Sequence, residues 1–314
     1  MESFASLLMK NGRLRSTDAL EIASRPASIS RGQRALGCIL AWALFGVVNV
    51  RSGVMILGPN DVGQANVPTG ATNAVAVSFG AFHVVSLDRG GAMFAWGYNS
   101  YGQTNTPAGL ANVMAVGAGR YHSLAVRTNG TVVAWGHNNY GQTNVPAELT
   151  NVIAVAGGRG HSLALKSDGT VTAWGDSVAY GLLNVPVDLT NAVAISAGIE
   201  FSLAVRKDGM VAAWGRNDYG ECNVPAGLSG VVAVAGGGVH ALALKRDGTM
   251  VAWGNNDNGR ATVPANATNV IAIAAGEATS LALRRDGTLV AWGANTYGDI
   301  SIPPNTTNVV AATG

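Results

Sequence analysis

Short apolar runs separated by Gly-, Asn- and Asp-rich segments follow one another along most of this chain. Residues 151–190 contain three such runs, NVIAVAGG, HSLALK and TVTAWG, and the turn-forming SDGT joins the second run to the third. Runs of this length bounded by turn residues predict β-strands. The short segment LLNVP follows a polar stretch, and Pro186 restricts such a segment to a sheet edge. The pattern therefore predicts four short strands in each unit of about 40 residues.

The same unit recurs at a nearly constant spacing. An AWG tripeptide ends each third run, and consecutive tryptophans of these tripeptides are 39 or 40 residues apart. The six repeated tryptophans are Trp96, Trp135, Trp174, Trp214, Trp253 and Trp292. A degenerate seventh copy, VMILGPNDVGQANVP, carries Leu57 one repeat length before Trp96. Four strands in a unit of this length are typical of a propeller blade.

The composition of the strands indicates how the units pack. The strands are apolar on both faces, as expected for sheets that lie between neighbouring sheets. First strands carry small residues such as Ala197 and Gly198, which fit near a ring axis, and we interpret the tryptophans as packing between diverging blades. The sequence NVVAATG at the C-terminal end corresponds to a first strand that no second or third strand follows. Residues 47–57 can supply these two missing strands. The sequence thus predicts an all-β, seven-bladed β-propeller whose N- and C-terminal strands close one blade.

The N-terminal segment differs from the repeats. Residues 35–48, ALGCILAWALFGVV, form an apolar run behind Arg31 and Arg34. A run of this length is short for a membrane span and matches the core of a signal peptide. We therefore expect no membrane span, and we favour secretion or the cell envelope over a cytoplasmic location.

A second interpretation of the same region is structural. Residues 46–58 align with residues 280–293 with one deletion, so that they form strands of the first copy. Both interpretations stay open at this point. The chain divides into an N-terminal arm with an apolar, targeting-like run over 1–44 and a propeller over 45–314.

The charge distribution limits the classes of partner. The first 53 residues carry seven basic and three acidic residues, whereas residues 54–314 carry thirteen basic and fifteen acidic ones. The repeats therefore lack the broad positive field on which nucleic-acid binding depends. Cys38 and Cys222 give neither a disulfide framework nor a CxxC pair. We expect a monomer that binds another protein and no nucleic acid.

Strand parity places the candidate binding residues at one end of the ring. In an antiparallel meander, the connections after the first and third strands share one end of the sheet. The GGRG-type and WGHNNYG-type loops therefore lie on one face, here called the loop face, which is rich in the Tyr and Arg of protein-binding hot spots. The candidate partner-binding residues are Phe82, Tyr101, Arg120, Tyr121, Tyr140, Arg159, Tyr180 and Tyr219. Alternatively, each repeated tyrosine only caps its own turn. The other face carries charged DG turns and is predicted to be solvated.

The repeated histidines do not form a predicted catalytic or metal site. Sheets that pack face to face lie about 10 Å apart, whereas zinc ligands all lie about 2 Å from one ion. Adjacent His and Ser point to opposite sides of their strand and are not a base with its nucleophile. We interpret His122, His161 and His240 as structural residues that are hydrogen-bonded inside their blades. No phosphate-binding Gly-rich loop opens a helix, and we expect no enzyme activity, metal or cofactor.

The words AxGxxHSLAL, DGTVxAWG and NxYGQ resemble the repeat of the regulator of chromosome condensation family over about residues 46–314. The GQTNVPA ending and the 39-residue spacing resemble the short-repeat bacterial branch, which includes a secreted β-lactamase inhibitory protein. The resemblance to that branch implies that aromatic residues on the loops before the HSLAL motif bind the partner. Those loops carry Phe82 and Tyr121 here, but Gly160, Glu200, Val239 and Ala278 in later copies.

Three functions follow from these observations. The leading hypothesis is a non-catalytic propeller that binds another protein through its loop face. The first alternative, implied by the eukaryotic branch, is a regulator of a small GTPase or a chromatin-associated factor, although the guanine-nucleotide exchange insertion has no counterpart here. The second alternative is an enzyme with a site in the central cleft, which would require polar residues near the axis in place of Ala, Val, Ser and Gly.

Overall fold

The architecture consists of small antiparallel sheets arranged one after another. The computed structural model describes residues 46–50, 53–57, 60–295, 300–302, 306 and 309–313. Within these residues, two short 3-10 turns, Thr69–Asn73 and Asp257–Gly259, accompany strands that form seven three-stranded sheets. The predicted all-β class is confirmed. The N-terminal arm over 1–44 lies outside the described residues, and so does the start of the apolar run at 35–48.

Six of the sheets, here called blades I to VI, are each built from three consecutive strands. Blade I contains β3 (Ala74–Phe79), β4 (His83–Asp88) and β5 (Met93–Gly97), and blade II contains β6 (Val113–Ala118), β7 (His122–Arg127) and β8 (Val132–Gly136). Blade III contains β9 (Val152–Gly157), β10 (His161–Lys166) and β11 (Val171–Gly175), and blade IV contains β12 (Ala192–Ala197), β13 (Phe201–Arg206) and β14 (Val211–Gly215). Blade V contains β15 (Val231–Gly236), β16 (His240–Lys245) and β17 (Met250–Gly254), and blade VI contains β18 (Val270–Ala275), β19 (Thr279–Arg284) and β20 (Leu289–Gly293).

The remaining sheet joins the two ends of the described chain. It contains β1 (Gly46–Val50), β2 (Gly53–Leu57) and β21 (Val309–Thr313), with β1 in the middle. Val48 pairs with Met55 on one side and with Ala312 on the other. Strand β21 therefore takes the place in this terminal sheet that a first strand takes in each blade, and it contacts β18 and β19 of blade VI and β3 of blade I.

Each blade uses the same register around a buried middle strand. In blade II, Ser123 lies opposite Trp135 on one side and opposite Ala118 on the other. The first five residues of every middle strand in blades I to VI are buried and the sixth is partly exposed. Both faces of the middle strand are thus covered, as expected for blades stacked around a ring.

Among the described residues, the fourth, outer strand predicted for each unit does not form in blades I to VI. In blade II the corresponding segment folds back on itself: the Asn144 N–H donates to Gly141 O (2.9 Å) and the Val145 N–H to Thr143 O (3.0 Å). The Thr143 N–H donates to Asn138 Oδ1 (3.0 Å). These backbone donors are consumed by local turns, so none is left for a ladder with the third strand. The prediction of four strands per blade was wrong for this reason.

The core lies between blades rather than inside any one sheet. Trp135 of blade II packs with Val85 and Leu87 of blade I, and its indole N–H donates to Gln103 O at 2.9 Å. Trp174 packs in the same way with Leu124 and Val126 of blade II. All six repeated tryptophans lie in such clusters with 5 to 8% of their surface exposed, and all six donate to a carbonyl 32 residues earlier.

Small residues allow the first strands to approach one another. A side-chain carbon added at Gly157 of β9 would lie 2.6 Å from the backbone of Gly119, which precedes β7 of blade II. At Gly236 of β15 the same atom would lie 2.7 Å from the backbone N of Gly198. Because these neighbours are backbone atoms, a larger residue would push the first strands apart. In the part of the chain described here, no helix is long and apolar enough to cross a membrane.

Candidate functional site

Two loops of each blade meet at the same end of its sheet, as strand parity predicts. One loop joins the first strand to the second, and the other follows the third strand. In blade II the His137 N–H of the second loop donates to Tyr121 O of the first at 2.9 Å, and in blade I the Tyr98 N–H donates to Phe82 O at 2.8 Å. Blades III to VI have the corresponding bond. These paired loops form the loop face.

Backbone hydrogen bonds also join the first loops of neighbouring blades. The Arg120 N–H donates to Gly158 O (2.9 Å), and the Arg159 N–H donates to Ile199 O (3.0 Å). The Ile199 N–H continues the series to Gly237 O at 3.2 Å. The backbone of the loop face is therefore held across blade boundaries, and side chains on it need little ordering before they bind a partner.

A glutamine side chain closes the second loops of blades I and II and the equivalent turn after β2, and Glu221 closes the second loop of blade IV. Gln142 is fully buried, and its Oε1 accepts the Tyr140 N–H at 3.0 Å. Gln64 makes the same bond to the N–H of Val62 at 2.9 Å, although no tyrosine is present there. The turn therefore does not need the phenol ring. In blades I and II the side chain that closes the turn is therefore the glutamine and not the tyrosine two residues before it, whereas blade III carries Leu182 at the glutamine position.

Six rings form a continuous strip on the loop face, here called the aromatic band. They belong to blades I and II and to the connections that follow these blades. Ring centroids lie 6.3 Å apart for Phe82 and Tyr98, 5.4 Å for Tyr101 and Tyr121, and 4.6 Å for Tyr101 and His137. The band consists of Phe82, Tyr98, Tyr101, Tyr121, His137 and Tyr140. All six rings are at least partly exposed, so the band presents aromatic surface to solvent.

Exposure within the band is highest at the tyrosines of the second loops. Tyr101 and Tyr140 are 47% and 44% exposed, whereas Phe82 and Tyr121 are partly buried beneath their neighbours. The guanidinium of Arg120 lies over the Tyr121 ring, 5.6 Å from its centroid. Five of the predicted partner-binding residues thus lie in the band or at its edge.

The other three predicted residues belong to a second group, here called the ion network. The carboxylate of buried Glu200 accepts hydrogen bonds from Arg159 Nη1 at 3.1 Å and from Arg216 Nη1 at 2.8 Å. Arg216 also contacts Asp218 and lies over the rings of Tyr180 and Tyr219, at 5.1 and 5.7 Å from their centroids. The hydrogen bond to Asp218, with Glu200 adding to it, raises the pKa of Arg216. The charges in this network compensate one another.

A small pocket separates the band from the ion network. It has a volume of about 190 Å³ and lies between Tyr140 and Glu200, with Leu182 among its lining residues. Gly160 also lines the pocket, at the position where sister blades carry Phe82 and Tyr121. The missing ring at Gly160 ends the aromatic band at Tyr140.

Sequence reasoning missed four residues of this surface. Tyr98 and His137 lie in the band, and Arg216 and Glu200 hold the ion network. Tyr98, His137 and Arg216 all follow a Trp-Gly pair. This position changes from repeat to repeat, although the Trp-Gly before it is constant and the residue after it is Asn in all copies but blade III. That variation was the available signal.

The buried histidines link neighbouring blades. The His122 ring contacts Ser162 of blade III through Nε2 and Oγ at 2.9 Å, and Ser162 Oγ donates to Gln142 O. Because the hydroxyl proton is used in that way, Nε2 is the donor to Ser162. His83, His161 and His240 make the equivalent contact with Ser123, Ser202 and Ser280. The expected bond inside the blade was therefore wrong, because the ring reaches the next sheet.

Burial keeps these histidines neutral and away from solvent. It lowers the pKa of His122 and His240 to about 3 and that of His161 to about 4. Among the residues that the structure describes, no three His, Cys, Asp or Glu side chains are grouped to hold a metal ion. Cys222 has its pKa raised to about 12 by burial, and its Sγ–H donates to Arg216 O. It therefore stays a protonated thiol at neutral pH.

The face opposite the loop face is a set of locally neutralised turns. Lys166 contacts Asp168 at 3.5 Å, and Lys245 contacts Asp247 at 3.4 Å. The Thr170 hydroxyl donates to Asp168 Oδ1 at 2.7 Å, and this hydrogen bond lowers the pKa of Asp168. These pairs agree with the solvated surface predicted for the DG turns.

Comparison with known proteins identifies the repeat. The profile described as the regulator of chromosome condensation (RCC1) repeat matches residues 74–103, 115–142, 152–181, 192–221, 231–260 and 270–299. No curated protein matches the chain significantly.

Similar solved structures come from yeast and plants. Yeast RCC1 (Prp20), solved with Kap60, is 18% identical with a TM-score of 0.68 over 92% of this chain and 89% of that chain. The Arabidopsis thaliana receptor kinase ACR4 ectodomain is 20% identical with a TM-score of 0.67 over 87% of this chain and 99% of that chain. The Physcomitrella patens receptor kinase CR4 ectodomain is 20% identical with a TM-score of 0.66 over 82% and 74%. At these low identities, the TM-scores show a common propeller fold and nothing more. Because the repeat profile covers more than half of its residues, the chain belongs to the RCC1 repeat family.

Proposed function

We propose that this chain is a non-catalytic propeller that binds another protein through its loop face. The aromatic band carries this proposal, because it joins six rings of blades I and II and the connections after them into one half-exposed surface. Tyr and Arg are the residue types that dominate protein-binding hot spots. The bonds between loops hold these rings in place before a partner arrives, which lowers the entropy cost of binding.

The repeat itself supports a binding role over catalysis. The four repeated histidines are buried and bonded to neighbouring blades, so no imidazole of this set reaches solvent. The 39-residue spacing and the GQTNVPA ending support a place in the short-repeat bacterial branch, whose β-lactamase inhibitory member also binds through loop aromatics. The alternative function is regulation of a GTPase or of chromatin, and identification of the partner would distinguish it from the proposed one. Yeast RCC1 (Prp20), a structural neighbour, was solved in complex with the protein Kap60.

We further propose that the terminal sheet acts as a seventh blade and closes the ring. Val309 of β21 packs in the core between blades V and VI, and Ile56 of β2 packs against the core of blade I. The side-chain pairs between blades support the same conclusion. Phe201 replaces histidine in blade IV, and Ala241 replaces the serine of the next blade. Each loss of one partner is accompanied by loss of the other.

The pairing rule extends across the proposed closure. Thr279 occupies the histidine position in blade VI. Gly46 pairs with Leu57 as Ser123 pairs with Trp135, so Gly46 occupies the serine position of the terminal sheet. Blade VI therefore lacks the histidine of the pair, and the terminal sheet lacks the serine. Loss of both partners together is expected if blade VI and the terminal sheet are neighbours. A ring closed in this way needs no second copy, which supports a monomer.

The function is tested by a pair of substitutions on opposite faces. Tyr121→Ala removes a ring from the middle of the aromatic band, whereas Lys207→Ala changes an exposed side chain on the other face. We expect Tyr121→Ala to weaken partner binding by about 2 kcal/mol or more, a hot-spot magnitude. Lys207→Ala should leave the affinity unchanged, and both variants should melt close to the wild type.

The measurement begins with immobilised wild-type and variant chains in extract from the source organism. Proteins depleted by Tyr121→Ala and kept by Lys207→Ala are then titrated individually against all three chains. Loss of binding with Lys207→Ala and not with Tyr121→Ala would place the working surface on the opposite face and refute the proposal.

A further inference from the structure

The cations of the loop face differ in how they are compensated. Arg159 and Arg216 both contact carboxylates, at 3.1 Å and 2.8 Å from Glu200. Arg120 lies one blade before Arg159 at the same loop position. Within the described residues, no carboxylate lies within ion-pair distance of Arg120, whose guanidinium lies over the Tyr121 ring instead.

Among the described residues, the aromatic band offers Arg120 no carboxylate with which to pair. The aromatic band beside it consists of Phe, Tyr and His side chains. The Arg120 N–H donates to Gly158 O, so the backbone of this residue is fixed. The residue is already partly buried. A partner lying on the band would remove more water from the guanidinium, and an unpaired charge that loses its water is costly.

We propose that the partner supplies a carboxylate to Arg120, flanked by bulky apolar side chains that lie on the aromatic band. This inference rests on the proposed function and specifies the chemistry of the partner. Charge complementarity at an interface favours the correct partner and suppresses wrong ones. The occupant is an acidic residue of a protein segment rather than a nucleic acid, because one uncompensated cation cannot follow a chain of phosphates.

A displayed library of random peptides of 12 residues tests the inference even while the natural partner is unidentified. The library is selected on the full wild-type chain, and each enriched peptide is tested for binding to Tyr121→Ala. For peptides that need Tyr121, we expect Asp or Glu beside aromatic or aliphatic residues to be enriched over the starting library. Arg120→Gln should abolish the acidic enrichment, while the matched control Lys207→Gln should keep it.

Synthetic versions of an enriched peptide provide the quantitative test. Replacing its Asp or Glu by the amide should weaken binding to the wild type by about tenfold or more, the effect of about 1.4 kcal/mol. The same replacement should change the affinity for Arg120→Gln by less than twofold, because the cation that it pairs with is gone. Thermal melts of Arg120→Gln should match the wild type.

The possible failures are distinguishable. Peptides that need Tyr121 but show no acidic enrichment, or equal amide effects on both chains, would overturn the carboxylate inference and leave the proposed function in place. A library without any peptide that needs Tyr121 would count against the proposed function itself and against this inference. Tighter binding of a labelled 12-nucleotide oligothymidine than of the acidic peptide, lost in Arg120→Gln, would also overturn it.

Discussion

At the scale of single residues, the contacts between blades form a set of matched pairs. His122 of blade II and Ser162 of blade III form a buried polar pair, whereas Phe201 of blade IV and Ala241 of blade V occupy the same two positions. A lone buried serine or histidine would leave a polar atom without a partner, which costs more than a matched apolar pair. Phenylalanine and alanine are therefore a suitable apolar substitute for the His–Ser pair at these two positions.

The buried histidines predict a strong dependence of stability on acid. Burial lowers the pKa of His122 from 6.5 to about 3 in the folded chain. Between these values the unfolded chain binds the extra proton, so stability falls as pH falls through 6.5 toward 3. The free energy of unfolding should fall between pH 7.5 and pH 5. We expect this fall to be about 2 kcal/mol smaller in the double variant His122→Phe, Ser162→Ala than in the wild type. Urea unfolding at both pH values measures this difference.

His137 serves as the control for this prediction. It is partly exposed on the loop face, and burial lowers its pKa. His137→Phe should therefore change the acid sensitivity by less than the buried pair does. Equal loss of stability by wild type and the His122–Ser162 double variant would mean that His122 is not held neutral in the folded protein.

At the scale of elements, local hydrogen bonds decide which segments become strands. Each DG turn between the second and third strands is closed by a polar residue that binds the turn two positions later. Asp247 Oδ1 accepts the Thr249 hydroxyl at 2.6 Å, and Asp286 Oδ1 accepts the Thr288 hydroxyl at 2.6 Å. In blade IV, Met210 takes the threonine position and is 53% exposed, so Asp208 accepts only its backbone N–H.

Restoring threonine at this turn should stabilise the protein slightly. Met210→Thr provides the missing hydroxyl donor and removes an exposed apolar side chain. We expect a gain of about 0.5 kcal/mol in the free energy of unfolding, the lower end for a hydrogen bond because the turn is exposed. Thr170→Met in blade III is the matched reverse change and should lose a similar amount in denaturant melts. A loss with Met210→Thr would show that the methionine makes a contact worth more than the hydroxyl bond.

At the scale of the whole molecule, the terminal sheet bears the proposed closure. β21 contacts strands of blade VI and of blade I, and it pairs with β1. Removing it would expose the edge of β1 and the apolar sides of both neighbouring blades. The stability of the ring would then depend on whether the two ends of the array still meet.

Truncation after residue 308 tests the closure directly. We expect it to destabilise the chain by more than about 3 kcal/mol, well above the roughly 1 kcal/mol of an average substitution. The matched control is Val309→Ala, which keeps the strand and removes only part of one buried side chain. Chemical denaturation of the three chains gives the comparison. A truncated chain as stable as the Val309→Ala variant would contradict a closed ring of seven blades.

Much of this molecule could be predicted from the sequence alone, because the relevant signals are local and repeated. The spacing of Trp135 and Trp174 gave the blade period, and turn residues marked the ends of three strands in each blade. The meeting of the two loops on one face followed from strand parity, which depends only on strand order. Each of these features is set by segments within one repeat or by the distance between neighbouring copies.

Only the tertiary structure decided the contacts between repeats. His122 reaches Ser162 across a blade boundary, and Tyr101 reaches His137 although 36 residues separate them. Such contacts depend on the rotation of one blade against the next, which no single repeat encodes. The fourth strand is absent mainly for a local reason, because turns take its backbone donors. The contact between repeats adds to this, since the indole of Trp135 occupies the carbonyl of Gln103 in the preceding connection. The aromatic band and the uncompensated Arg120 exist only once the blades have packed, because packing brings side chains from separate repeats within reach of one another.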